Sequence, residues 1–527
     1  MRKQVLILIT PLLCLSLMTL CAQNEFVRIF GQNPTLMIAD QPAQNTLVTT
    51  SDGNLVFSTM FPPLSLFIKM DMIGNVIFTK SFSNSGLLPA DLIATSDKGF
   101  LVTGHSHLFD TLYHATSSSS AVLSKIDSAG NIQWNRIMGR YGGYGKKVGE
   151  LDDSTYCGVA ADTARMGDIY YYIISKNGNL KHAATFGGAK SDGPFSILCS
   201  NGSFYVLSFT QSFNPLYEMM LTKINRNGAI DWTKTYLSPG CAIGGFCMTK
   251  KDNNKFCIGG SAGWGSSSDG LLVMEVDSNG SPLNAKVINI DSMDYITSVA
   301  SNNNLGYLLI SLSTPNSQLG PFYSVILDNN LNIVYKNRLG INSFNAVGTM
   351  GPSILRKNNN IYTAGVSYTN SSSGAYSFIQ KLDSTGAYSC STPNFSVSTF
   401  SIPITTQTLS LTSYDLLTYY SYLDTLSNIV LNDSIACNSF TTGNTISAHS
   451  SQLKIFPNPS SGGNLTIQSA EPIRRITLFN NLGVLLNKFD IDKKSANLDL
   501  SLYDETVFYL EIETASGVTR KKVLSIQ

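Results

Sequence analysis

The chain reads as an all-β protein, a seven-bladed β-propeller followed by a small C-terminal β-sandwich, and three observations predict it. First, one short unit of apolar strand, polar tight turn and apolar strand occurs seven times: IKMDMIGNVIF from Ile68, SKIDSAGNIQW from Ser124, IISKNGNLKHA from Ile173, TKINRNGAIDW from Thr222, MEVDSNGSPLN from Met274, VILDNNLNIVY from Val325 and IQKLDSTGAYS from Ile379. Second, the copies recur with a period of about fifty residues, the mark of small sheets that bury their faces only against neighbours in a circle. Third, the texture changes at Leu453, where short strands with a different spacing begin.

In chain order, Met1-Arg2-Lys3-Gln4 and the apolar run Val5 to Leu20 have the basic start and short apolar stretch of a secretory leader, so residues 1–22 are expected to be removed near Ala22-Gln23. Pro11 and the polar Gln23-Asn24 flank argue against a membrane anchor, and Leu20 against lipidation at Cys21. No second apolar span follows, so the mature chain is expected not to be membrane-integral. Charged residues make up 13% of 527, and 36 Lys and Arg balance 35 Asp and Glu, which excludes a basic nucleic-acid surface.

Residues 23–390 form the expected propeller. One blade runs through Leu92–Thr95, the turn Ser96–Gly99, Phe100–Gly104, a variable loop 106–120, Ala121–Ile126, the turn Asp127–Gly130 and Asn131–Gly139. Gly and Asn supply the positive φ of a tight turn, and Asp or Ser bonds back to the local backbone. Leu331 stands where other copies carry Gly, so Asn329-Asn330 is expected to make that turn. The last copy lacks its outer strand. Phe26-Val27-Arg28-Ile29-Phe30-Gly31 lines up with Trp134-Asn135-Arg136-Ile137-Met138-Gly139, so the N-terminal strand is expected to complete the final sheet.

Residues 391–451 are rich in Ser and Thr and read as a connector with some β structure. Residues 452–527 supply six or seven short strands, the pattern of a small sandwich. The opening I-F-P-N-P-S-S-G-G-N-L-T-I from Ile455, the middle I-T-L-F-N-N-L-G from Ile476 and the closing Phe508-Tyr509-Leu510 with Arg520-Lys521-Lys522-Val523 resemble the C-terminal sorting domain of the type IX secretion system of Bacteroidetes. The closing motif departs from that family's pattern in having Glu505-Thr506-Val507 where Gly is usual. The resemblance implies engagement of the type IX secretion machinery by residues 453–527, passage through the outer membrane, removal of the module, and a secreted or outer-cell-surface product. The ring resembles the repeat-bearing secreted propellers often joined to such domains, a likeness that brings no catalytic residue with it.

No phosphate loop or C-x-x-C pair occurs and the histidine-poor sequence offers no evident nucleophile and base pair, so no catalytic residue and no cofactor are assigned. His105 and His107 face the same way on a strand and, with Asp110, are the candidate metal ligands; a histidine-bearing loop without metal is the competing reading. Glu150-Leu151-Asp152-Asp153 reads as a polar turn, with a calcium-binding or general-acid corner as the alternative, and the repeated Asp71, Asp127, Asp277, Asp328 and Asp383 as turn caps rather than a calcium ladder. Gly259–Gly265 reads as a loop between strands, Trp134, Trp232 and Tyr335 as packing between blades, and Trp264, Tyr141 and Tyr144 as loop aromatics able to stack on a sugar.

Seven cysteines remain after the leader, and Cys247 with Cys257 or Cys390 with Cys437 are either bridged or small apolar residues. Together these features predict a non-enzymatic exported propeller that binds a protein or glycan through its loop faces. The alternative is a propeller enzyme acting on polysaccharide or a small molecule in the central channel, which requires converging carboxylates or histidines.

Overall fold

A computed structural model of the chain describes residues 26–31, 46–438 and 453–526 apart from short internal segments, the longest being 107–119 and 388–396. The proposed leader lies outside the described residues. The chain divides into two compact units, Met1–Ser439 and Phe440–Gln527. The described residues contain no helix, and none long and apolar enough to cross a membrane.

The first unit opens with β1 (Phe26–Gly31) and then builds antiparallel sheets from consecutive strands. The first sheet holds β2 (Thr46–Thr49), β3 (Leu55–Phe61), β4 (Leu64–Met70) and β5 (Val76–Phe82). The second holds β6 (Leu88–Ala94), β7 (Phe100–Ser106), β8 (Ser120–Ile126) and β9 (Ile132–Met138). The third holds β10 (Gly143–Glu150), β11 (Thr155–Asp162), β12 (Asp168–Ser175) and β13 (Leu180–Phe186). The fourth holds β14 (Asp192–Ser200), β15 (Ser203–Thr210), β16 (Glu218–Asn225) and β17 (Ile230–Leu237). The fifth holds β18 (Ala242–Lys250), β19 (Lys255–Gly263), β20 (Gly270–Asp277) and β21 (Pro282–Asn289). The sixth holds β22 (Asp294–Asn302), β23 (Gly306–Ser313), β24 (Phe322–Leu327) and β25 (Ile333–Leu339). The seventh takes β26 (Val347–Lys357), β27 (Asn360–Tyr368) and β28 (Ala375–Leu382), and β1 lies antiparallel along β28 as its fourth strand, with Val27 opposite Gln380.

The repeated turns hold by local chemistry. Asp127 Oδ1 accepts the amides of Ala129 at 2.9 Å and Asn131 at 2.8 Å, and Asp71, Asp277, Asp328 and Asp383 do the same in their own turns. The turn of the sixth sheet is centred on Asn329 and Asn330, as expected, but neither of them takes the left-handed backbone. Leu331 itself takes the positive φ of 60° and donates to Asp328 O as the glycines do in their turns. Its side chain is fully buried beside Tyr307, Val325 and Leu327, and that burial offsets the cost of a left-handed leucine.

Each sheet is tied to the turn of the next. Lys80 Nζ donates to Gly130 O at 2.8 Å, Arg136 Nε to Gly178 O at 2.7 Å, Tyr171 Oη to Gly228 O at 2.8 Å and Tyr236 Oη to Gly280 O at 2.7 Å. The relay continues with Lys286 Nζ to Asn332 Oδ1 at 2.6 Å and Ser324 Oγ to Gly386 O at 2.6 Å. Tyr362 Oη, in the seventh sheet, donates to Met72 O in the first at 3.1 Å. Trp134, as expected, packs between sheets, its Nε1 donating to Lys176 O at 2.9 Å. The arrangement is a propeller-like set of sheets whose last member bonds to its first. Apolar clusters fill the spaces between neighbours, such as Leu207, Met219, Tyr236, Ile258 and Met274 between the fourth and fifth sheets.

Beyond the seventh sheet the chain turns back along the outer edges. β29 (Ser398–Ser401) pairs with β21, β30 (Thr405–Leu409) with β17, β31 (Tyr414–Asp415) with β13, β32 (Tyr419–Ser421) with β9, β33 (Leu426–Asn428) with β5, and β34 (Asn432–Asn438) with β1. This strap supplies a fifth strand to six sheets in succession, visiting the fifth, fourth, third, second, first and seventh. Among the described residues the sixth sheet keeps four strands.

The second unit consists of β35 (Lys454–Phe456), β36 (Ser460–Ser461), β37 (Asn464–Asn480), β38 (Leu485–Asp499), β39 (Val507–Thr514) and β40 (Gly517–Ile526). β37 and β38 run for 17 and 15 residues, longer than the short strands expected. β37 shifts register between Gln468 and Arg475: before the shift it pairs with β35, after it with β39, and β38 follows it along both halves. Ile467, Ile473, Ile476, Leu478, Leu498, Leu510, Ile512 and Val523 form its buried core.

Candidate functional site

The first strand of each sheet touches the first strand of the next, and β26 touches β2, so these strands form the inner wall of the first unit. Strands of this wall carry an extra residue at a β-bulge: Ala90 in β6, Lys146 in β10, Phe195 in β14, Phe246 in β18 and Thr297 in β22. A bulge breaks the ladder and re-aims a side chain, and its recurrence on the wall makes this row the candidate site.

The row is aromatic and basic at its centre. Phe195 meets Phe246 edge-on at 5.0 Å between ring centroids and Phe209 at 5.4 Å; Phe209 in turn meets Tyr217, whose ring is largely exposed. Lys146 Nζ lies 6.0 Å from the centre of the Tyr144 ring, and Tyr144 packs edge-on against His105 at 5.0 Å. Burial, with the charge of Lys147 adding to it, lowers the Lys146 pKa from its usual value. Lys147 itself is held away by Asp91: Nζ to Oδ1 is 2.9 Å, while Asp91 Oδ2 accepts the amide of Val148 at 3.0 Å. A partly desolvated ammonium beside aromatic faces suits an anionic or ring-bearing ligand.

Of the residues singled out from sequence, His105 lies on β7 against Tyr144, while His107 and Asp110 lie outside the described residues. Among the described residues no group of three or more His, Cys, Asp or Glu side chains is placed to hold a metal ion. Tyr144 is a strand residue rather than a loop residue; Tyr141 and Trp264 are outside the described residues. Gly259 to Gly263 belong to β19 rather than to a loop, because the backbone at Gly260 runs against Gly244 O with no room for a side chain. Glu150 binds the Ser96 amide at 2.9 Å and the Lys176 ammonium, and Asp152 caps its own turn, so that acidic stretch is structural.

Cys247 and Cys257 are free thiols, since strand register sets Cys257 opposite Thr249 and Cys247 opposite Gly259. Burial pushes the Cys247 thiol up to about 12, despite the opposing charge of Lys147. Cys390 lies outside the described residues.

Sequence reasoning missed Phe195 and Phe246, whose only signal is their place before the second strand of a repeat. It also missed Asp168 and Asp192, two buried carboxylates that converge on Gly187 from neighbouring sheets. Asp192 Oδ2 accepts the Gly188 amide at 2.7 Å and the Ser212 hydroxyl at 2.9 Å, which fixes the connection between those sheets.

Residues 454–527 match the family model described as a secretion system C-terminal sorting domain. The C-terminal segment is therefore a type IX sorting domain, and the chain is a secreted or outer-cell-surface protein. No curated protein matches the chain in sequence. Among solved structures it is similar to PorZ, an essential bacterial surface component of the type IX secretion system of Porphyromonas gingivalis, at 12% identity and a TM-score of 0.36, over 93% of this chain and 61% of that one. It is also similar to the polysaccharide lyase Uly1, at 8% identity and TM-score 0.40 over 67% and 93% of the two chains. A third likeness is to a quinohemoprotein alcohol dehydrogenase from Comamonas testosteroni, at 10% identity and TM-score 0.35 over 68% and 77%. The chain spans 61% of the length of the PorZ chain. Likenesses at these scores carry no argument about activity.

Proposed function

We propose that the chain is an exported seven-bladed β-propeller that binds a protein or glycan non-enzymatically, delivered by a C-terminal β-sandwich that engages the type IX secretion machinery. In this reading residues 1–22 are the leader, 23–390 the ring, 391–451 the connector that becomes the outer strap, and 452–527 the sorting module. The hydrogen bonds that pass from each sheet to the next turn, and from Tyr362 back to Met72, support seven blades. The register shift in β37 supports a sandwich, since a strand that bends at a bulge can serve two layers.

The observation that carries the binding reading is the row Ala90, Lys146, Phe195, Phe246 and Thr297 on the inner wall. Its side chains offer stacking faces and one ammonium, a set that holds a ligand and includes no pair able to give and take a proton. The test is an array of glycans and cell-surface proteins probed with the secreted chain and with Phe195→Ser and Lys146→Met variants. Binding that falls at least tenfold in both variants supports the reading; turnover of any bound glycan, or binding untouched by both changes, contradicts it.

A further inference from the structure

Two thiols from different sheets meet in the wall between the third and fourth. Cys157 on β11 and Cys199 on β14 have their sulfurs 3.4 Å apart, and Cys157 Sγ lies 3.7 Å from Gly149 O. Cys157 is fully buried and Cys199 half-buried, among Val159, Ile197 and Leu151. The space for the sulfurs is made by Gly149, the strand partner of Cys157: a Cβ there would stand 2.5 Å from Cys199 Sγ and 3.5 Å from Cys157 Sγ. A disulfide needs a sulfur separation of about 2.05 Å, so small rotations of the two side chains close the remaining gap.

We propose that Cys157 and Cys199 are a modification site, oxidised on export to a disulfide that staples the third and fourth sheets. The compartment is permissive, because the sorting domain takes the chain out of the cell. The oxidant is a protein disulfide donor. Cys199, the more accessible of the pair, attacks a sulfur of the donor as its thiolate and forms a mixed disulfide, releasing one donor thiol. Cys157 then loses its proton, attacks the Cys199 sulfur and releases the second donor thiol. Two thiols of this chain are thus oxidised, one donor disulfide is reduced, and both protons end on the donor. Burial raises the Cys157 thiol pKa, as does the neighbouring Cys199, which makes Cys157 the second rather than the first to attack.

The test uses the full-length secreted protein. Free thiols are alkylated on collection, the protein is denatured and digested without reductant, and the peptides are weighed. The expected product is one species joining the Cys157 and Cys199 peptides, lighter than their sum by two hydrogens and separated by reductant. Recovery of either cysteine mainly alkylated, or linked to any other cysteine, overturns the proposal. Reduction is also expected to lower the melting temperature of the secreted protein by about 3–6 °C. Cys199→Ser abolishes that difference; a difference of the same size in Cys199→Ser would contradict the assignment even if the peptide map were incomplete.

Discussion

Six outer strands of the first unit are covered by the strap, and β25 of the sixth sheet is not covered by any described strand. The two kinds of edge carry different residues at the same places. In the covered sheets, the fourth and sixth positions of the outer strand are Thr79 and Ser81, Asn135 and Ile137, Ala183 and Thr185, Thr233 and Thr235, and Ala285 and Val287, all buried. Val27 and Ile29 occupy the matching places of β1. In β25 they are Lys336, half-buried, and Arg338, exposed.

The difference teaches how an edge strand is managed. A row of backbone donors and acceptors invites pairing, so it is either satisfied by another strand or guarded by charge. Neutral side chains let a fifth strand lie close, as Ile402 does when its amide meets Ala285 O. Long cations at the same two places keep a strand of like character away.

The largest effect is expected from removing the strap. Replacing residues 398–438 by a flexible linker exposes six edges at once, and the secreted protein should melt at least 10 °C lower or be recovered as aggregate; an unchanged melting curve would show that the fifth strands are ornamental. A smaller effect should follow from making β25 resemble its counterparts. Lys336→Thr with Arg338→Val leaves the fold intact but should convert a fraction of the protein to dimers or larger species at micromolar concentration, seen by light scattering after size exclusion. A strictly monodisperse double variant would remove charge as the guard.

The smallest effect concerns the turns at the root of a covered and an uncovered outer strand. Burial raises the carboxyl pKa of Asp127 and of Asp328, but the amide bonds from residues two and four places on, together with Lys80 and Lys286 respectively, outweigh it and leave both below the usual value. A carboxyl whose pKa is lower folded than unfolded stabilises the fold above the unfolded value of about 3.9, and that contribution is lost as pH falls through the folded value. Asp127→Asn and Asp328→Asn should each flatten the loss of stability below about pH 4 without changing its course near neutrality. Acid unfolding profiles identical to the parent would contradict the capping role.

What was legible in the sequence follows from the range of the interactions. The turns could be read because a short polar side chain, Asp in five copies, Ser175 and Asn225 in the other two, reaches amides within four residues of itself. β1 could be placed because its six residues repeat the pattern of β9. The destinations of the strap could not, since strands as short as Tyr414–Asp415 and Tyr419–Ser421 carry no period of their own and are defined by the edges they meet. The positive φ of Leu331 could not be read because the contact with Tyr307 and Val325 that offsets it is distant in the chain, while the Asp328 cap of the same turn is local. The inner row escaped notice because a bulge is a mismatch between two strands, visible only when both are paired. Of the histidine candidates, His105 lies within β7 against Tyr144, while His107 and Asp110 lie outside the described residues.

The N-terminal strand completes the seventh sheet, with β1 lying between β28 and β34. Hydrogen exchange on the secreted protein tests this directly at the amides of Val27, Arg28, Ile29 and Phe30. Protection matching that of Phe378–Gln380 in β28 is the predicted result. Exchange of those amides at the rate of an unpaired terminus, with β28 still protected, would contradict it.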